Sequence, residues 1–460
     1  MPGGHRFDPS ILREYDIRGV VGETLHAVDA EALGRVFGAL VREQGGSRVC
    51  VGYDGRISSP DMEAALVKGL VSTGVDVERV GRGPSPMLYF ATFEGRADAG
   101  IMVTGSHNPP THNGFKMMMG RKPFFGEAIA DLGRRAAEAV WHAGDGQVTE
   151  NPALDRYVER VVRDFIGGRE LSAVWDPGNG AAGEAVAAAI AKLPGRHRII
   201  NGDIDGTFPS HHPDPTIPAN LVQLQDAVAE EGADVGFAFD GDGDRIGVID
   251  GHGNILWGDQ ILVILAEDVL SQMPGKPIIA DVKASQILFD EIDRMGGQAV
   301  MAKTGHSLIK AKMTELSAPL AGEMSGHIFF ADKYYGFDDA LYAAIRFLSI
   351  LCRTEESLAD RYARIPKAIN TPELRFECPD DRKFAVIDEV KSRLEKAGAD
   401  VNDVDGVRVS QDGGWWLLRA SNTQPVLVAR CEAPSEARLV DLKSSLSEQL
   451  EASGLSLPDF

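Results

Sequence analysis

Residues Phe239-Asp240-Gly241-Asp242-Gly243-Asp244-Arg245 lie between two apolar runs, Val235 to Phe239 before them and Ile246 to Ile249 after. Short apolar runs bounded by turn residues read as buried strands, so three carboxylates sit on the turn that joins two strands. Glycine at alternate positions lets the backbone fold tightly and brings side chains two residues apart together. Three converging anions between buried strands demand a cation. Hard oxygen ligands of this kind suit magnesium. An EF-hand calcium loop shares aspartate at its first, third and fifth positions, but here the sixth position is Arg245 instead of glycine and the twelfth is Gly251 instead of glutamate. Both the bend and the bidentate ligand of that motif are therefore missing.

The same pattern, an apolar run ending in a polar loop, recurs on either side. Ile101 to Val103 leads into Thr104-Gly105-Ser106-His107-Asn108-Pro109-Pro110, followed by Asn113-Gly114-Phe115-Lys116. Ser106 is placed to project a hydroxyl into a cleft, and the prolines stiffen the backbone behind it. A serine-hydrolase elbow needs glycine where Thr104 and Asn108 stand, so that chemistry is excluded. His107 reads as a loop brace, since sequence neighbours seldom aim their side chains at each other. Lys116 reads as a proton-transfer candidate if cations around it and partial burial push its pKa down. Further on, Gly322-Glu323-Met324-Ser325-Gly326-His327 packs an acceptor, a hydroxyl and an imidazole into one turn, which suits a polyol. Arg419-Ala420-Ser421-Asn422-Thr423-Gln424-Pro425, with Arg430 beyond, reads as a phosphate cradle. Arg18, Lys283 and His306 are further cationic candidates. Neither of the glycine-rich nucleotide loops, GxxxxGK[ST] or GxGxxG, occurs.

Between these loops the chain alternates helix and strand. Apolar residues Leu33, Val36, Phe37, Leu40 and Val41 recur at helical spacing, with Asp29 as a cap and Gly45 as the stop. Strands are expected over Arg48 to Tyr53 and Val75 to Val80, with a helix opening at Ser59-Pro60 between them. Apolar runs end abruptly in aspartate at Val49 to Asp54, Ala173 to Asp176 and Ile278 to Asp281, which suggests three similar units. Each could deliver a loop to a cleft at the carboxyl end of its strand, although aspartate also begins many ordinary turns. Beyond Pro366 a charged helix and short strands read as a smaller α+β module.

The chain has 460 residues, 43% hydrophobic and 25% charged, enough for about three domains with real cores. With 47 basic and 68 acidic residues the formal charge is -21, which disfavours nucleic acid as a partner. The four cysteines, Cys50, Cys352, Cys378 and Cys431, are scattered and read as reduced core thiols. No apolar stretch approaches the ~20 residues of a membrane span, and the first ten residues lack a signal-like core, so a cytoplasmic protein is expected.

Taken together and in order, the four loops resemble those of the α-D-phosphohexomutase superfamily, most closely its bacterial phosphomannomutase/phosphoglucomutase branch. Glu14-Tyr15-Asp16-Ile17-Arg18-Gly19, Tyr53-Asp54-Gly55-Arg56 and Lys303-Thr304-Gly305-His306-Ser307 extend the likeness over nearly the whole chain. The resemblance implies three related mixed α/β domains, over residues 1–151, 152–254 and 255–366, plus a C-terminal α+β domain over 367–460, all around a central active-site cleft. It implies that Ser106 is the phosphorylated nucleophile and that Asp240, Asp242 and Asp244 hold Mg²⁺ together with its phosphoryl group. Glu323 and Ser325 would grip sugar hydroxyls, while Arg419, Ser421, Asn422 and Thr423 would anchor the non-reacting phosphate. Tyr15, Arg18, Arg245, Lys283, His306 and His327 would line the cleft, with Lys116 as the proton-transfer candidate and Arg18, Arg245 and His327 in the catalytic group. The implied reaction moves phosphate between C1 and C6 of a hexose monophosphate through hexose 1,6-bisphosphate. Gln424 departs from the commonest form of the phosphate loop. The implied partner is a small phosphosugar, with no nucleic acid or membrane, in a monomer or dimer. Glucosamine phosphate as substrate, a metal-dependent phosphatase and a non-catalytic phosphosugar sensor are the rival readings.

Overall fold

The computed structural model describes residues 3–422 and 424–455; Thr423 of the expected phosphate loop lies outside them. Four sheets follow one another along the chain. In the first, strands Arg48–Tyr53, Asp76–Arg82 and Ala99–Val103 run parallel and His112–Met119 returns antiparallel beside the last of them. In the second, Ser172–Asp176, Arg196–Ile199 and Val235–Phe239 are parallel and Ile246–Asp250 returns antiparallel. In the third, Pro277–Asp281, Gln298–Ala302 and Leu320–Gly322 are parallel and Ile328–Phe330 returns. Each sheet therefore has its first strand between the second and third, with the antiparallel fourth outside the third. The fourth sheet is antiparallel throughout, centred on Val407–Gln411, Gly414–Ala420 and Val426–Ala433. The architecture implied by the resemblance, three mixed α/β units and a C-terminal α+β unit, is present.

The threefold repeat has a structural consequence. In every α/β unit the third strand and the returning fourth are joined as a hairpin by a short polar loop, and these loops are the serine loop, the aspartate loop and the Glu323 loop. The aspartates that end the first strands, Asp54, Asp176 and Asp281, are fully buried. Asp54 accepts from Thr104 Oγ1 at 2.7 Å and from the Gly105 amide at 3.2 Å, and Asp281 from the Met324 amide at 3.1 Å. Asp54 and Asp281 thus brace the neighbouring hairpins from within.

Helix positions follow the apolar periodicity. Ala27–Glu43 buries Leu33, Val36, Phe37 and Val41, and Ser59–Val71 carries proline in its first turn. Asp29 lies inside the first turn, where its carboxylate accepts the His26 amide at 2.7 Å. The strand expected from Val75 begins at Asp76 and runs on to Arg82, and the charged helix expected beyond Pro366 spans Asp380–Ala397. One apolar cluster runs through the first three units, from Leu88 and Phe90 by way of Tyr157, Trp175 and Phe237 to Phe330 and Phe347. The fourth unit has a core of its own around Trp416 and Leu442, and meets the third through a small patch of Val282, Trp415 and Leu417. All four cysteines are buried and free. Among the described residues no helix is long and apolar enough to cross a membrane.

Candidate active site

All four units contribute to one cleft of about 1100 Å³. Its wall includes Tyr15, Arg18, His107, Arg245, Lys283, His306, Glu323, Ser325, His327, Arg419, Ser421, Asn422 and Arg430. Ser106 and the three aspartates are buried beside it, under their neighbours His107 and Arg245. Ser106 adopts φ of +48°, a left-handed conformation that costs a serine about 1 kcal/mol or more and is typical of functional turns. Its hydroxyl donates to Asp240 Oδ2 at 3.0 Å, so it faces the acid cluster instead of open space. That approach depends on Gly241, where an added Cβ would stand 2.3 Å from the Ser106 carbonyl oxygen.

The serine loop hangs on a residue whose part sequence reasoning missed. Arg56 is fully buried, and its guanidinium donates to the carbonyls of Ser106, Asn108, Pro109 and His112 at 2.6 to 2.9 Å, with Asp54 as its counter-ion at 3.2 Å. The Tyr53-Asp54-Gly55-Arg56 segment was the available signal. His107 also departs from expectation: its Nδ1 lies 3.2 Å from the Ser106 hydroxyl, because the left-handed turn at Ser106 brings the two side chains round to each other. Burial and the charge of Arg245 push its pKa well below the ordinary range.

The three carboxylates present ligand oxygens within 4.8 Å of one another, all fully buried. One oxygen of Asp240 is committed to the amides of Asp244 and Arg245, at 3.0 and 3.1 Å. Asp242 Oδ1 and Asp244 Oδ1 have no hydrogen-bond donor. Burial, reinforced by Asp244 and Asp242, drives the Asp240 pKa well up, the mark of a site short of positive charge. Three anionic hard-oxygen donors with buried orphan oxygens fit a divalent cation of the magnesium type.

Lys116 stands in a different environment from the one expected. Its ammonium donates to Asp242 at 2.7 Å and to Asp244. Burial acts to lower its pKa, but these carboxylates outweigh it and hold the lysine charged, well above the ordinary range. The expectation of a lysine depressed toward neutrality is thereby corrected. The anions responsible lie more than a hundred residues away in sequence.

On the cleft wall, Arg245 Nε donates to His327 Nε2 at 3.1 Å, and His327 Nδ1 faces Asp338 at 3.1 Å. His306 stacks on His327 with 5.4 Å between ring centroids and is pushed down to about 4, first by burial and then by Lys310. Arg18 bonds Asn108 Oδ1 at 2.9 Å and Asp16. Glu323 accepts the Gly305 amide at 2.6 Å, and burial raises its pKa despite nearby His327. Tyr15 joins three units: its hydroxyl donates to the Thr304 carbonyl at 3.0 Å and accepts from Asn422 at 2.8 Å. Arg419 is held by Asp405 at 2.9 Å, and Arg430 donates to the Lys283 carbonyl at 2.5 Å. Every expected site residue among those described is therefore on the wall of this cleft or buried beside it.

Three α/β units that bring a buried serine, an acid triad and the Glu323 turn to one cleft, with an antiparallel unit adding Arg419, Ser421 and Asn422 to its wall, are the arrangement of a phosphohexomutase. The chain belongs to the phosphoglucomutase/phosphomannomutase family: its alpha/beta/alpha domain I matches residues 9–136, domain II 155–253, domain III 257–369, and the C-terminal domain 373–449. It is 46% identical to a phosphomannomutase/phosphoglucomutase of Pseudomonas putida, covering 96% of this chain and 95% of that one. A protein of the same name from Pseudomonas aeruginosa is 43% identical, over 98% and 97%. The crystal structure of a phosphoglucomutase/phosphomannomutase family protein from Burkholderia thailandensis superposes with a TM-score of 0.94 at 44% identity, covering 98% of this chain and all of that one.

Proposed function

We propose that the protein interconverts the 1- and 6-phosphates of glucose and mannose through a phosphorylated Ser106 and a hexose 1,6-bisphosphate intermediate. The observation that carries this reading is the 3.0 Å contact between the Ser106 hydroxyl and Asp240 beside a cleft lined by all four units. Asp240, Asp242 and Asp244 would hold Mg²⁺, whose charge would neutralise the transferring phosphoryl group. Arg419, Ser421 and Asn422 would fix the distant phosphate, and Glu323 and Ser325 the sugar hydroxyls between the two ends. Glucose and mannose differ only at C2, so a grip on the neighbouring hydroxyls tolerates both.

In the forward step the P–O bond to Ser106 Oγ breaks and a P–O bond to the free sugar hydroxyl forms, while that hydroxyl gives up its proton. His327 Nε2, which accepts from Arg245 at rest, would take that proton once Arg245 turns to the oxygens in transit, with Asp338 holding the other ring nitrogen. Lys116, held charged between Asp242 and Asp244, would give a proton to the departing serine oxygen, and the proton released by the sugar hydroxyl would restore it. Arg18 and Arg245 would steady the oxygens in transit. The bisphosphorylated sugar then turns round, and its other phosphate is returned to Ser106. Replacement Ser106→Ala tests the assignment: turnover should fall by orders of magnitude with phosphosugar binding largely kept, and intact mass of the wild type should show one phosphate on the Ser106 peptide. Full activity in the variant, or phosphate release in step with turnover, would refute it.

A further inference from the structure

Two of the cations that line the cleft are already engaged by a carboxylate that lines it too. Glu373 stands just before the strand Leu374–Glu377 of the fourth unit. One of its oxygens accepts from Lys283 Nζ of the third unit at 3.0 Å, and the other from Arg375 Nε at 2.8 Å. Arg375 reaches on to Gln424 Oε1 in the phosphate loop at 2.9 Å. All four of these residues face the cleft. The Glu373 side chain is only 16% exposed, and although burial works to raise its pKa, Lys283 and Arg375 together bring it down to about 2. It is therefore an anion in the working pH range. Two other carboxylates stand behind the wall and not on it: Asp281, 3.8 Å from Lys283 Nζ, and Asp405, which holds Arg419 and the Thr304 amide as an orienting group.

A phosphate held in a clamp at the loop 421–424, which Arg375 touches through Gln424, would compete with Glu373 for Arg375 and, across the cleft, for Lys283. We propose that Glu373 is a built-in counter-anion, which lowers the affinity of the clamp for phosphate so that the bisphosphorylated intermediate can let go and turn round. This rests on the mutase reading, in which each catalytic cycle requires both ends of the intermediate to visit the same clamp. A clamp that held either end as tightly as its cations allow would stabilise the intermediate without speeding its conversion. The placement also fits: the carboxylate sits at the junction of the third and fourth units, beside the small apolar patch where they meet, so it can take back Lys283 as the phosphate leaves.

Inorganic phosphate is the probe. Calorimetric titration should show its Kd falling on the order of tenfold in both Glu373→Gln and Glu373→Ala relative to wild type, because each frees an ammonium and a guanidinium from a neighbouring charge. In turnover, KM for glucose 1-phosphate and kcat should fall together. A contact that only holds the two units in place predicts the opposite sign, weaker phosphate binding and a raised KM. That result, or an unchanged Kd in both variants, overturns the proposal. Phosphate binding needs no turnover, so a wild type unable to interconvert monophosphates would sink the mutase reading while the comparison of Kd values still decides the part played by Glu373.

Discussion

Gly241→Ala should separate the nucleophile from the acid cluster while adding only one methyl group. The new Cβ would stand 2.3 Å from the Ser106 carbonyl oxygen and 3.2 Å from its carbon, where ordinary contact begins at 3.4 Å. Both obstacles are backbone atoms, so no rotamer change relieves them, and the serine and aspartate loops must part by about 1.1 Å. The Ser106 carbonyl is itself tied to Arg56 at 2.7 Å, which resists movement on that side. The Ser106–Asp240 contact would open from 3.0 Å to about 4 Å, beyond hydrogen-bond range. Overpacking of this kind costs about 1–3 kcal/mol of stability, and misplacement of a reacting group by ~1 Å costs about 10²-fold in rate. A coupled assay for glucose 6-phosphate, run on protein shown to be folded by thermal melting, should therefore give kcat about a hundredfold down. Phosphate affinity should stay near wild type, because Arg419 and Asn422 lie across the cleft. A folded variant with kcat within about threefold of wild type would refute the claim that close apposition of these loops is required.

Removal and return of Mg²⁺ should move stability as well as activity: at about 100 times Kd the ion would add about 2.7 kcal/mol, and Asp242→Asn should shrink that gain. A melting temperature indifferent to Mg²⁺ would contradict the assignment of the triad. His306 carries a pH signature. Its folded pKa of about 4 lies below the ordinary value of 6.5, so the unfolded chain binds the extra proton in between, and stability is full above pH 6.5 and lost as pH falls through 4. The difference is worth up to roughly 3 kcal/mol. Urea midpoints of wild type and His306→Asn, compared at pH 7 and near pH 4.5, should converge on acidification, and parallel loss in both would rule this source out.

The loops were legible because their chemistry is local: Asp240 to Asp244, Ser106 and Glu323 each sit at the end of an apolar run, and the strands Val235–Phe239 and Arg48–Tyr53 are bounded by the residues that break them. What stayed hidden depends on contacts across long separations. A fully buried arginine runs against the usual exposure of that side chain, and Arg56 is tolerated only because four carbonyls from a loop some fifty residues on converge on it. The charge state of Lys116 was misread for the same reason: its carboxylate partners are 126 and 128 residues away. The His107 contact turned on one backbone angle, φ at Ser106, which composition does not reveal.

The threefold repeat also explains why one aspartate position does two different jobs. In the first and third units the buried aspartate at the end of the first strand reaches the neighbouring hairpin, Asp54 to Gly105 and Asp281 to Met324. The second unit's hairpin needs no such strut, because Asp240 closes its own loop on the amides of Asp244 and Arg245. Asp176 is thereby released, and it binds Asn201 at 3.0 Å and His211 at 2.9 Å instead. His211 anchors the start of the segment that brings Asp214, Thr216 and Pro218 to the cleft wall. A metal loop that braces itself thus frees an equivalent residue to build the second unit's other contribution to the cleft, and repeated topology becomes an asymmetric site by reassignment of hydrogen bonds alone.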